Sequence, residues 1–90
     1  MMPSGTEIRE AREAVQRILD GMGLRSFVYT LEPKEGPWQL RIEYTEDGEW
    51  QSCTASMDPV LLRASLRDEA TRERLRDTLR AKLRTAPPRP

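Results

Sequence analysis

The sequence predicts an α+β fold: a three-stranded antiparallel meander with two helices packed on one face, in the order α-β-β-β-α. Three observations carry this. An apolar stripe of helical period occupies residues 8–22; the period then drops to two over residues 26–57, with turn signals between the runs; and an Asp-Pro pair opens a second helical stretch at residue 58.

The first helix opens at Ser4, followed three residues later by Glu7, a capping-box spacing in which the hydroxyl accepts from an early amide. Behind it Ile8, Ala11, Val15, Ile18, Leu19 and Met22 fall within an arc of about 100° at helical pitch. Gly21 and Gly23 are expected to provide a left-handed stop. Phe27, Tyr29 and Leu31 then alternate with Val28 and Thr30, predicting a strand over 26–32. The run PKEGP at 33–37 is a turn by composition. Trp38, Leu40, Ile42 and Tyr44 alternate with Gln39, Arg41, Glu43 and Thr45 to make a second strand with one wet face. Asp47-Gly48 is a hairpin signal, because a type I′ turn needs positive φ at both central positions. A third strand is expected over about 49–57.

Pairing across the Asp47-Gly48 turn sets Glu46 against Glu49, Ile42 against Cys53, Leu40 against Ala55 and Trp38 against Met57. A four-residue loop at 33–36 sets Leu31, Tyr29 and Phe27 against Trp38, Leu40 and Ile42. Both turns select the same apolar face. Cys53 falls on it and reads as a core residue. Trp50 falls on the other face, opposite Thr45 and beside Arg41, Glu43, Ser52 and Thr54.

Asp58 is placed as N-cap and Pro59 at N1 of the last helical stretch, which runs to about Arg84. A continuous helix there would be roughly 39 Å long, against roughly 26 Å for an eight-residue strand. Its apolar stripe also shifts: Leu62, Leu66 and Ala70 share one line, while Leu61, Leu75, Leu79 and Leu83 lie about 140° away. Two arrangements follow. Either the helix breaks near Arg67–Asp68, where Ser65 and Asp68 make another capping pattern, and folds back on the first helix. Or it is continuous, and Leu75, Leu79 and Leu83 form a protruding seam for a protein partner or a homodimer. Residues 1–86 are expected to form one domain and the proline-rich 87–90 a disordered tail.

The chemical inventory bounds the function. The 90-residue chain has no histidine and one cysteine, so the usual neutral-pH base, a metal cluster and an internal disulfide are all without their residues. Glu46, Asp47 and Glu49 at the hairpin tip read as a solvated turn. No phosphate loop or nucleophile elbow appears. No catalytic residue, metal, cofactor or small-molecule substrate is expected, and the chain reads as non-enzymatic. No apolar run approaches 18 residues, and the start MMPSGTEIRE lacks the basic and apolar regions of a secretory leader. A cytoplasmic, non-membrane protein is the expectation.

Net charge is zero, yet residues 1–57 carry six bases against ten acids and residues 58–90 nine bases against five acids. That asymmetry permits an anionic partner for the C-terminal part. Within it, Glu69, Glu73 and Asp77 precede Arg72, Arg76 and Arg80 at i,i+3, a spacing that predicts surface ion pairs.

Tyr29, the six residues TLEPKE and then Gly36-Pro37-Trp38-Gln39 are similar to the first-strand tyrosine and Gly-Pro-x-His loop of the double-stranded RNA-binding domain. That family also has the α-β-β-β-α order, so the resemblance covers about residues 5–75. It implies that Gly36, Pro37 and Gln39 enter an RNA minor groove. The family's Lys-Lys-x-Ala-Lys cluster at the start of its second helix is replaced here by DPVLLRASL, with only Arg63 basic.

Two functional readings result. The first is a small protein-interaction or assembly domain using Trp50, Arg41 and the Leu75, Leu79, Leu83 line. The alternative is an RNA- or DNA-binding module using Gly36, Pro37, Gln39, Arg76, Arg80, Lys82 and Arg84.

Overall fold

The computed structural model of the protein describes residues 4–45 and 48–85. Its elements run α1 (Gly5–Asp20), β1 (Ser26–Glu32), β2 (Trp38–Thr45), β3 (Trp50–Met57), α2 (Pro59–Ala64) and α3 (Glu69–Thr85). The sheet is antiparallel in the order β1-β2-β3, and helices cover one of its faces. This is the expected α+β meander, with the last helical stretch divided. Glu46 and Asp47 of the hairpin turn, the 87–90 tail and the side chain of Arg84 lie outside the described residues.

Local chemistry starts and stops each helix. Ser4 accepts from the Glu7 amide at 3.1 Å, and Asp58 accepts from the Val60 amide at 2.8 Å with Pro59 in the first turn. The α1 stop differs from expectation. Gly21 caps the helix in a right-handed conformation, φ −81°, and only Gly23 takes the left-handed one, φ +74°. A glycine is required at the second position, not the first.

β2 and β3 pair Trp38, Leu40 and Ile42 with Met57, Ala55 and Cys53, as the hairpin reading predicts, and Gly48 has the positive φ of +89° that reading requires. β1 and β2 pair two residues further along than predicted. Leu31 lies opposite Leu40, Tyr29 opposite Ile42 and Phe27 opposite Tyr44. Pro33 and Pro37 lack amide donors, so the ladder begins only at Glu32 and Gln39. A slip of two keeps every inward residue inward, so the apolar face survives.

The core holds Ala11, Val15, Ile18 and Leu19 from α1 and Trp38, Leu40, Ile42 and Tyr44 from β2, with Cys53, Ala55 and Met57 from β3. Leu62 of α2 and Leu75, Leu79 and Leu83 of α3 complete it. α1 lies over β1, where the Tyr29 hydroxyl donates to the Arg12 carbonyl at 3.0 Å. α3 lies over β3, with its C-terminal end beside Tyr44. That hydroxyl sits 3.1 Å from the Leu83 carbonyl and 2.8 Å from Gln51 Oε1. It has one proton, so both contacts are served when the Gln51 amide turns its NH₂ toward the phenol oxygen and the phenol donates to Leu83.

Of the two arrangements open for residues 59–84, the broken helix is the one observed. The alternative of a protruding seam is not the one observed, and Leu75, Leu79 and Leu83 are corrected from partner contacts to buried residues of the monomer's own core. On a continuous helix Leu61 would share their line, yet Leu61 is exposed while Leu62 is buried, so the facing changes across 65–68. The capping roles also differ. Ser65 ends α2, its hydroxyl donating to the Leu62 carbonyl at 2.6 Å. Asp68 starts α3, accepting from the Ala70 amide and the Thr71 hydroxyl. A carboxylate satisfies orphan amides and favours the positive end of the helix dipole more strongly than a hydroxyl does.

The three predicted i,i+3 pairs of α3 are not among the four ion pairs of the described residues. Arg72 turns back instead, its Nε donating to the Ser65 carbonyl at 3.1 Å. Arg76 leans on the C-terminal end of α1, where a Cβ built on Gly21 would stand 3.7 Å from the guanidinium carbon. The carbonyl end of a helix favours a cation, and that attraction competes with an exposed ion pair worth little.

Truncating Leu79 to alanine is expected to lower stability by about 3 kcal/mol, read by urea unfolding, with no change in molar mass. The Thr71 hydroxyl bond, reinforced by the Ala70 and Thr71 amides, holds the Asp68 carboxyl below its ordinary range. A depressed folded value adds stability above the unfolded value, and that stability is lost as pH falls through the folded one. Asp68→Asn keeps a capping oxygen but removes the charge. Its urea midpoint is expected below wild type at neutral pH, and the gap is expected to close on acidification beneath the usual carboxylate range.

Candidate functional site

The open face of the sheet is built from the alternate residues of three strands. Reading across β1, β2 and β3, its rows are Ser26–Thr45–Trp50, Val28–Glu43–Ser52, Thr30–Arg41–Thr54 and Glu32–Gln39–Ser56. Trp50 is 45% exposed and Val28 is 56% exposed. They lie two strands apart, roughly 10 Å across the sheet, in adjacent rows. Thr45, directly opposite Trp50, is buried although it belongs to this face, and its Oγ1 accepts from the Gly48 amide at 3.1 Å. Arg41 and Glu43 stand 3.7 Å apart near the middle of the face, Arg41 exposed and Glu43 partly buried. The surface therefore offers one large aromatic, one aliphatic and one loosely paired cation among hydroxyls and an amide.

A second feature is an open groove of about 590 Å³ at the end of the sheet where β1 turns into β2. Gly36 and Pro37 form one wall, Asp58 and Pro59 the floor beyond β3, and Leu61 and Thr78 part of the helical side. Glu35 and Asp58 are its charged lining groups, and no base among the described residues lines it. Asp58 is already engaged as the α2 cap.

The residues singled out from the sequence are thus separated. Trp50 and Arg41 share the open face, whereas Leu75, Leu79 and Leu83 lie beneath the opposite one. Gly36 and Pro37 line the acidic groove, while Gln39 projects from the open face. Arg76 turns toward α1, and its Nε is buried without a hydrogen-bond partner. Lys82 lies on the other flank of α3, near enough to β3 for its charge to act on Cys53. The Cys53 thiol is pushed up by burial, and the Lys82 ammonium offsets part of that rise. A raised thiol is a poor nucleophile, which fits the core role of this residue. Arg80 is half-buried on α3.

Three features were not anticipated. Val28 was legible as outward by its position in the alternation, but a lone valine carries no functional signal. The exposure of Leu61 follows only from the break after α2, because the leucine stripe had put it on one line with Leu75, Leu79 and Leu83. The groove had no signal at all, since it joins residues 36–37 to 58–61 and 75–78 through the tertiary fold.

Among the described residues no three metal-ligating side chains gather to hold an ion, and no helix is long and apolar enough to cross a membrane. Set against known proteins, the chain matches no family model, no curated protein and no solved structure. Fold and surface define a small α+β domain with one open sheet face.

Proposed function

We propose that the protein is a non-enzymatic interaction or assembly domain whose contact surface is the open sheet face centred on Trp50. The observation that carries this is the exposure of Trp50, with Val28 in the next row of the same face and Arg41 in the row after that. Tryptophan and arginine are the residue types that most often anchor protein interfaces, because each buries a large area while keeping a polar handle. A flat face of hydroxyls and a loose ion pair around such an anchor is inexpensive to desolvate compared with a densely charged one.

The nucleic-acid reading draws support from the Gly36-Pro37 loop and its likeness to the double-stranded RNA-binding domain. Against it stand the two carboxylates of the adjoining groove and the divergence of Arg76 from Lys82. Phosphate binding depends on cations gathered on one side, since released counterions supply most of the affinity.

The two readings separate in one titration series with a duplex RNA of about 16 base pairs at low and moderate salt. The interaction-domain reading expects no binding at low salt. Tight, steeply salt-dependent binding that Arg80→Ala and Lys82→Ala weaken would replace it with the alternative. Trp50→Ala is expected to leave the unfolding free energy, read by urea titration, within about 1 kcal/mol of wild type, since the ring is half solvated.

A further inference from the structure

We propose that the corner at residues 65–68 is the hinge of a domain-swapped dimer, through which α3 exchanges between two copies of this chain, and that Asp68 holds the hinge shut. The observation is how little separates the corner from a helix. Ser65, Leu66, Arg67 and Asp68 include neither glycine nor proline, and no residue of the corner has a positive φ. Ser65 itself is right-handed helical, φ −64° and ψ −19°. The Ser65 and Asp68 amides already donate four residues back, to Leu61 and Ala64, and the Arg72 amide donates to Asp68. The Leu66 and Arg67 amides donate three residues back, as in a tightened last turn.

A continuous helix from Pro59 to Thr85 requires the amides of Glu69, Ala70 and Thr71 to reach the carbonyls of Ser65, Leu66 and Arg67. In the closed chain side chains stand in for these bonds. The Asp68 carboxylate takes the Ala70 amide and the Thr71 hydroxyl, and the Arg72 guanidinium takes the Ser65 carbonyl. Opening therefore exchanges side-chain hydrogen bonds for backbone ones of similar number, and no φ barrier is crossed.

Opening alone would expose Leu75, Leu79 and Leu83, which no monomer tolerates. A second copy opened in the same way removes that cost. Each α3 then lies on its partner's α1 and β3, and every contact of the closed chain is remade between chains, including Leu83 with Tyr44 and Arg76 with the end of α1. Because the interface is the monomer's own core, monomer and dimer differ only in the corner and in the entropy of association. The balance is set by protein concentration and by Asp68.

The test uses refolding from denaturant, with reductant present, at low and high protein concentration, followed by size-exclusion chromatography with light scattering. The full-length chain is compared with Glu69→Pro and Asp68→Ala. Residue 69 is the first of α3, where proline is tolerated; in a continuous helix it would lose a hydrogen bond and clash with the Ser65 carbonyl. At high concentration the wild-type chain is expected to give a dimer fraction that Glu69→Pro lowers at least about fivefold. Asp68→Ala is expected to raise that fraction, and adding Glu69→Pro to it to restore the monomer. A wild-type chain that refolds only to monomer, or a dimer that Glu69→Pro leaves unchanged, would overturn the proposal. If Asp68→Ala does not fold, the comparison of wild type with Glu69→Pro decides alone.

Discussion

The leucines of α3 reach the sheet because helical hydrogen bonding tightens at the Leu66 and Arg67 amides and is not continued by those of Glu69, Ala70 and Thr71, and the rest of the inner face depends on that interruption. α1 covers β1 and the near side of β2 through Ala11, Val15, Ile18 and Leu19. It is too narrow to cover Cys53, Ala55 and Met57 as well. Leu62 closes part of the gap, and Leu75, Leu79 and Leu83 close the remainder only if the helix carrying them presents a different side from α2. Four residues of altered pairing accomplish this, and Asp68 and Arg72 supply the polar partners that the missing backbone bonds would have used. In a chain of 90 residues one core is all there is room for.

Covering one face with three helices leaves the other face to solvent. Its composition is the chemical counterpart of that exposure. Threonines, serines, Gln39 and the Arg41–Glu43 pair keep it wet, and the large apolar exceptions are Val28 and Trp50. Trp50 is the aromatic of this face and is 45% exposed. This is why the functional reading rests on Trp50 and not on the arginines of α3, which are drawn into the fold at Ser65 and at the end of α1.

Much of this was legible in the sequence, for reasons that differ from element to element. The strands were readable because their period is strict and two turns independently select one apolar face. The β1–β2 register was displaced by two residues, since composition locates a turn without saying where its ladder begins; two prolines without amides decided that. The corner was legible as a discontinuity in the leucine stripe, but the assignment of its caps was not, because Ser65 and Asp68 are both competent N-caps and only the packing of Leu62 settles which one starts a helix. The charge pattern of α3 misled most. An i,i+3 spacing measures proximity along one helix, and here Arg72 and Arg76 find carbonyl partners and helix ends elsewhere. The site was legible in part: the alternation placed Trp50 and Arg41 on the open face, while the groove beside Gly36 and Pro37 exists only once the chain has folded.

The account turns on α3 packing back onto its own sheet in the monomer. The most direct measurement is a nuclear Overhauser spectrum of the dilute, monomeric chain, searched for contacts between the Tyr44 ring and Leu83 and between Leu79 and residues of α1 or β3. Contacts within one chain at both places are the predicted result. A monomer without them, whose amides from 60 to 85 show unbroken helical connectivity, would contradict it.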